Sequence, residues 1–175
     1  LGLFAAIQIA GTVSGGHFNP AVTIGALLDK RIDPMNAVGY LIAQLIGGLG
    51  AAGLVLLVSS QAVVAGTRTT PGTGISDLQA VVLETVFTAI FVAVILTVTK
   101  LNPDRAFIVI PLTLVAIHVA LIPITGASVN PARSIAPAII GGDLTSLWIY
   151  IVGPVVGSVG GWAVYRALLD EPAKA

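Results

Sequence analysis

The sequence predicts an all-α membrane protein built as an inverted repeat, each half holding three transmembrane helices and one re-entrant half-helix. Three observations carry that expectation. Composition is the first: 56% of the 175 residues are hydrophobic and only 9% charged, with a mean hydropathy of +1.01, whereas soluble domains run near a quarter charged. Second, four apolar stretches, at about 36–58, 77–99, 106–124 and 146–168, are long enough to cross a bilayer, whose hydrocarbon core needs roughly 20 helical residues. Third, two Asn-Pro-Ala triplets, Asn19-Pro20-Ala21 and Asn130-Pro131-Ala132, each open an apolar segment too short to cross.

Taken in order, residues 1–13 are apolar but short of a span. The chain starts at Leu1 rather than Met, inside that stretch and without the charged region that leads a signal peptide. It is therefore expected to be a fragment. Segments 20–28 and 131–140 are about nine or ten residues long and must enter the membrane and return. The triplets lie 111 positions apart, at 19 and 130, and that offset can be tested elsewhere. Shifted by 111, the span at 146–168 falls on 35–57, matching 36–58, and 106–124 falls on −5 to 13, matching the opening stub. The span at 77–99 shifts to −34 to −12, so the repeat predicts that the first helix and the start of the second are missing from this chain. Three crossings per half, an odd number, turn the second half upside down, and inverted repeats place their working site near the bilayer midplane. The expected organisation is one domain over 1–175: 1–58 the remainder of the first repeat, 59–76 a Thr- and Gly-rich connecting loop, 77–169 the second repeat, and 170–175 a polar, disordered tail.

Basic residues in short loops set the orientation. Lys30, Arg31, Lys100, Arg105, Arg166 and Lys174 fall on one side, and Arg68 and Arg133 on the other. Six against two assigns the first side, with the C-terminus, to the cytoplasm, at the plasma (inner) membrane. Loop 59–76 is then external, the first half-helix enters from inside and the second from outside. Composition also excludes function classes. Without cysteine there is no disulfide, thiolate metal site or thiol nucleophile. Net charge is zero with no basic run, so no nucleic-acid partner is expected. Two histidines far apart make a weak case for a metal, and neither a metal nor a cofactor is expected.

Asn followed by Pro is ordinary helix-start chemistry, because Asn caps free amides and Pro is tolerated at the first helical position. Two copies at matched repeat positions, each heading a segment too short to span, favour a site over a plain cap. Irregular backbone at membrane depth is tolerated only where it is buried in protein or lines a watery cavity. The loops ahead of the triplets, Ser14-Gly15-Gly16-His17-Phe18 and Thr125-Gly126-Ala127-Ser128-Val129, are small and irregular, and their carbonyls, with Gly15, Gly16, His17, Gly126 and Ser128 along the wall, could form a polar ladder. If the half-helices meet at their N-termini, each brings about half a positive charge to the membrane centre. Cations and hydrated protons are repelled there, while the Asn19 and Asn130 amides donate to a water oxygen and break the proton-conducting chain.

Ser14-Gly-Gly-His-Phe-Asn-Pro-Ala-Val-Thr23 and Ser128-Val-Asn-Pro-Ala-Arg-Ser134 resemble the two pore loops of the aquaporin, or major intrinsic protein, family, and the likeness runs over the whole chain. It implies a passive channel for water, or for glycerol and small neutral solutes in the rival branch, working as a homotetramer in the lipid bilayer. On residues alone, Arg133 is either a snorkelling side chain or a functional cation. It lies roughly 4–5 Å outward of Asn130 along the half-helix. The resemblance makes it the arginine of the outer selectivity filter. His118, on residues alone, is equally a packing histidine or a pore residue. The family places it opposite the arginine, where water-selective members carry histidine and glycerol-conducting ones a small residue. Ser134 points the same way, since glycerol-conducting members usually have Asp after the arginine. The third filter position maps to Ala127, contributing chiefly a carbonyl. The fourth, an aromatic, maps just ahead of Leu1.

Glu84 reads either as a proton carrier or as a structural acceptor for the first-loop backbone, and without a partner acid the structural role is favoured. Asp29, Asp33, Asp77, Asp104, Asp143, Asp170 and Glu171 read as solvated charges at span ends and in loops. Gly153, Gly157 and Gly161, like Gly39, Ala43, Gly47 and Ala51, form small-residue stripes that let helices approach closely. A secondary transporter would need a coupling-ion site and an intramembrane hydrolase a nucleophile with its base, and neither is evident.

Overall fold

A computed structural model describes residues 2–169. All of its regular structure is helical: α1 (Gly2–Ser14), α2 (Pro20–Leu28), α3 (Pro34–Val58), α4 (Gln61–Gly66), α5 (Asp77–Leu101), a 3₁₀ turn (Pro103–Arg105), α6 (Ala106–Thr125), α7 (Pro131–Gly141) and α8 (Ile149–Leu169). The helices α3, α5, α6 and α8 match the four predicted spans. Each is long and apolar enough to cross a membrane, α6 together with the 3₁₀ turn ahead of it. The polar tail expected over 170–175 lies outside the described residues, as does Leu1. Loop 59–76 is more ordered than its Thr/Gly content implies, because Ser60 caps a short helix, α4, by accepting from the Val63 amide.

Helix ends follow from local sequence. Asp33 caps α3, with Pro34 in the first turn, and Ser76 caps α5 through a reciprocal box with Gln79. Gly126 and Gly142 take left-handed conformations at φ 80° to end α6 and α7. Side chains facing outward are apolar: Val119 is 75% and Leu168 77% exposed. Such a surface is unstable against water and stable against lipid. The protein is an integral membrane protein.

The tightest packing joins α5 and α8. A Cβ on Gly157 would sit 2.4 Å from the Thr85 carbonyl oxygen, one on Gly161 2.4 Å from that of Ala89, and one on Gly153 2.8 Å from Glu84 Cβ. This stripe brings two backbones together, as small residues do where no hydrophobic force drives association. The stripe on α3 differs: Gly39 and Gly47 have nothing within 4 Å, and it is Gly48, one residue on, that meets the Ala132 carbonyl of α7. The half-helices are exchanged between the halves, with α2 packing chiefly on α8 and α7 on α3. Ser158 of α8 donates to the Ala21 carbonyl of α2.

At one end the charges pair rather than standing in solvent. Arg31 donates to Asp29 at 2.7 Å, to Thr99 at 2.6 Å, to the Leu96 carbonyl at 2.8 Å and to Tyr165 at 3.0 Å. The other oxygen of Asp29 is 3.7 Å from Arg166. With its side chain 7% exposed, Asp29 is a nearly buried counter-ion, not the solvated loop charge its position suggests. Burial forces the pairing, since an isolated charge there would be costly. Lys100 joins the same cluster over the Tyr165 ring. Arg68 and Arg133 lie at the opposite end with Asp143 and Thr67.

Gly157→Val is expected to lower thermal stability by at least about 1–3 kcal/mol through backbone overpacking. Gly160→Ala, whose added carbon meets only Ala89 Cβ at 3.7 Å, should stay within about 0.5 kcal/mol of wild type. Melting in detergent, followed by size exclusion, checks both.

Candidate pore

The half-helices meet tip to tip. Asn19 and Asn130 have nearly the same backbone, φ −154° with ψ 122° and 104°, and each caps its own helix through Oδ1. Asn19 accepts from the Ala21 amide at 2.9 Å, and Asn130 from Ala132 at 3.1 Å and Arg133 at 3.3 Å. Each amide nitrogen then crosses to the other loop: Asn19 Nδ2 donates to the Val129 carbonyl at 2.7 Å, and Asn130 Nδ2 to the Phe18 carbonyl at 3.0 Å. Both acceptors directly precede the opposite asparagine. This reciprocity fixes which way each amide points, because a flipped group would set oxygen against oxygen. One hydrogen of each NH₂ group is used in the crossing, and one remains for a solute.

The loops are tied back in parallel fashion. In the first, Thr23 Oγ1 lies 3.5 Å from His17 Nδ1; in the second, Ser134 Oγ lies 2.6 Å from Ser128 Oγ, at positions 111 further along. Gln44 of α3 donates to the His17 carbonyl at 2.9 Å and to Thr23 at 2.8 Å, and Tyr40 donates to the Ser14 carbonyl. The second loop depends on Glu84. Fully buried in α5, it accepts from Thr125 Oγ1 at 2.7 Å, the Ser128 amide at 2.9 Å and the Val129 amide at 2.8 Å. Glu84 thus supports the second loop rather than the first, because loop and helix belong to the same half. The loop needs such a prop: Ala127 and Val129 hold positive φ, 50° and 45°, a region costly for residues with a Cβ and for a β-branched one above all.

A cavity of about 1540 Å³ runs past these elements. Arg31, Asn36, Tyr40, Asn19, Asn130, His118 and Arg133 line it, together with Gly15, Gly16, His17 and Ser128. Gly126 and Ala127 do not border it, and the Ala127 side chain is fully buried. Pro20, Ala21, Pro131 and Ala132 are buried beneath the capping asparagines. His118 Nδ1 pairs with the Leu114 carbonyl at 2.8 Å, one turn back on its own helix, which leaves Nε2 without a partner among the described residues. Arg133 Nη1 donates to the Thr67 carbonyl at 3.0 Å. Gln44, Tyr40 and Ser158 take part without being singled out in the sequence. Gln44 carried the one available signal, an amide among the small apolar residues of α3.

Chemically, this is an aperture with fixed hydrogen-bond donors. Two helix N-termini and a guanidinium face the lumen, and Glu84, the one fully buried carboxylate among the described residues, is occupied by one hydroxyl and two backbone amides. Such a lining offers hydrogen bonds to a small neutral solute.

Known proteins resemble this chain in sequence and in fold. The sequence model of the family described as "Major intrinsic protein" matches residues 1–165. The chain is 41% identical to "Aquaporin Z" of Photorhabdus laumondii, over 94% of this chain and 78% of that one. It is 42% identical to "Glycerol uptake facilitator protein-like 6" of Lactiplantibacillus plantarum, over 85% and 72%. The X-ray structure of an aquaglyceroporin from Plasmodium falciparum, 23% identical, superposes with a TM-score of 0.83 over 95% of this chain and 78% of that one, and so shares its fold.

Glu84→Gln keeps the shape but sets an NH₂ group against amide donors. It is expected to cost about 3 kcal/mol, read as a lower melting temperature in detergent, with solute flux lost in reconstituted vesicles.

Proposed function

The chain belongs to the major intrinsic protein family of membrane channels, and on that premise we propose that it conducts water down an osmotic gradient while excluding protons and ions. The observation that carries the choice of water is His118 bordering the same cavity as Arg133. An imidazole bordering the same lumen as a guanidinium would narrow it against a three-carbon polyol, yet offers Nε2 to water. Ser134, whose hydroxyl is held by Ser128 and Thr69, supports the same reading, as does the relative named Aquaporin Z. Ala127, expected as the third filter position, carries no part of this reading, since it does not border the cavity.

A second reading, facilitation of glycerol or another small neutral solute, is favoured by the comparable identity to a relative named for glycerol uptake. Beyond the permeant, the proposal includes a homotetramer in the plasma (inner) membrane, with the Arg31–Lys100–Arg166 end in the cytoplasm and the Arg133 end outside. The segregation of basic side chains to the Arg31 end supports that sidedness.

Stopped-flow light scattering on vesicles holding the protein should show water efflux well above that of empty vesicles, with glycerol entry near background. Efflux equal to that of empty vesicles would end the channel reading, and rapid glycerol entry the water-selective one. Replacing His118 by Gly and Arg133 by Ala together should raise glycerol permeability roughly tenfold or more.

A further inference from the structure

Three consecutive residues after α4 each address the half-helix hairpin that carries Arg133. The Thr67 carbonyl accepts from Arg133 Nη1 at 3.0 Å, and Thr69 Oγ1 donates to the buried Ser134 hydroxyl at 2.7 Å. Between them, Arg68 reaches past the end of α7. Its Nη1 lies 2.6 Å from Asp143 Oδ2 and donates to the Asp143 carbonyl at 3.1 Å, while Nε donates to the Ala65 carbonyl at 3.1 Å. In the sequence Arg68 counts only toward membrane orientation, and Asp143 reads as a solvated loop charge.

Arg133 has no salt-bridge partner among the described residues. Its guanidinium is held by a backbone oxygen, and that oxygen is only as fixed as its peptide. The peptide is the one joining Thr67 to Arg68. We infer that Arg68 is a positioning residue for the filter: clamped onto Asp143, it immobilises the Thr67–Arg68 peptide, whose carbonyl holds Arg133 against the cavity wall. The inference rests on reading Arg133 as a filter residue.

Isolated surface pairs contribute little, because ordering two long side chains offsets the attraction. This pair differs in two respects. Asp143 is already ordered, since its other oxygen accepts from the Thr145 amide at 2.9 Å and the Thr145 hydroxyl at 2.7 Å. Those bonds, ahead of the Arg68 contact, lower the Asp143 carboxyl to about 2 and keep it ionised at any working pH. Arg68, for its part, uses two guanidinium nitrogens on three acceptors, the fork geometry that lysine lacks. The backbone leaves no slack around the clamp: a Cβ on Gly141 would sit 2.9 Å from Ala65 Cα, and the Gly72 amide donates to the Ile124 carbonyl at 2.8 Å.

With the clamp removed, the Thr67 carbonyl drifts and the long Arg133 side chain is free to cross the lumen. Arg68→Gln and Asp143→Asn should therefore each reduce water permeability per reconstituted channel, by roughly threefold to tenfold, and the double variant no further. In an Arg133→Ala background the same substitutions should change permeability by less than about twofold, since no side chain remains to position. Wild-type permeability in both single variants would overturn the clamp. So would an equal loss in the Arg133→Ala background, which would mean that the pair merely holds the fold. Should the wild type conduct glycerol as fast as water, the water-selective reading fails, and the same cycle run with glycerol decides the clamp. A wild type that conducts neither overturns the channel reading and the clamp with it.

Discussion

Everything in this structure depends on a hydrogen-bonding constraint at the middle of a bilayer. Two helices stop there, and each exposes backbone donors that lipid cannot satisfy. Asn19 and Asn130 resolve the problem together. Each side chain caps its own helix with oxygen and grips the opposite loop with nitrogen. Once the tips are locked, two partial positive charges face one lumen. In the proposed function, exclusion of cations is a by-product of how the ends are satisfied.

The repeat was legible because its signal is linear. Both half-helices, all four spans and the matched positions of the triplets follow from hydropathy and from the single offset between residues 19 and 130. The pairs His17–Thr23 and Ser128–Ser134 keep that offset in three dimensions. What sequence does not reveal is the partner of a polar side chain. Glu84 is visibly a buried acid, but which loop it serves depends on how α5 packs within its own half. Asp29 looks like any charge after a helix until Arg31 and Arg166 close over it. Arg68 and Asp143 are separated by two whole spans and a half-helix, and no local pattern connects them.

Small residues serve two separate purposes. On α8 they remove volume so that the α5 backbone can approach, which fixes the helix from which Glu84 projects. On α3, Gly48 makes room for the carbonyl of Ala132, one residue before Arg133. Arg133 is thus framed by close backbone contact on one side and by the Thr67 carbonyl on another. Its side chain is mobile by nature, and its surroundings are rigid by construction.

The reciprocal crossing also has a consequence for how the molecule is made. Asn19 finds its acceptor on Val129, 110 residues later in the chain. At translation speeds of roughly 5–20 residues per second, the first half-helix exists for on the order of 5–20 seconds before its counterpart has been synthesised. During that interval its tip has no partner in the growing chain, and a short apolar helix with unsatisfied amides is poorly matched to lipid. The insertion machinery must shelter this segment, or leave it at the interface, until the second loop arrives. For this architecture, threading the membrane and closing the aperture are separate events in time.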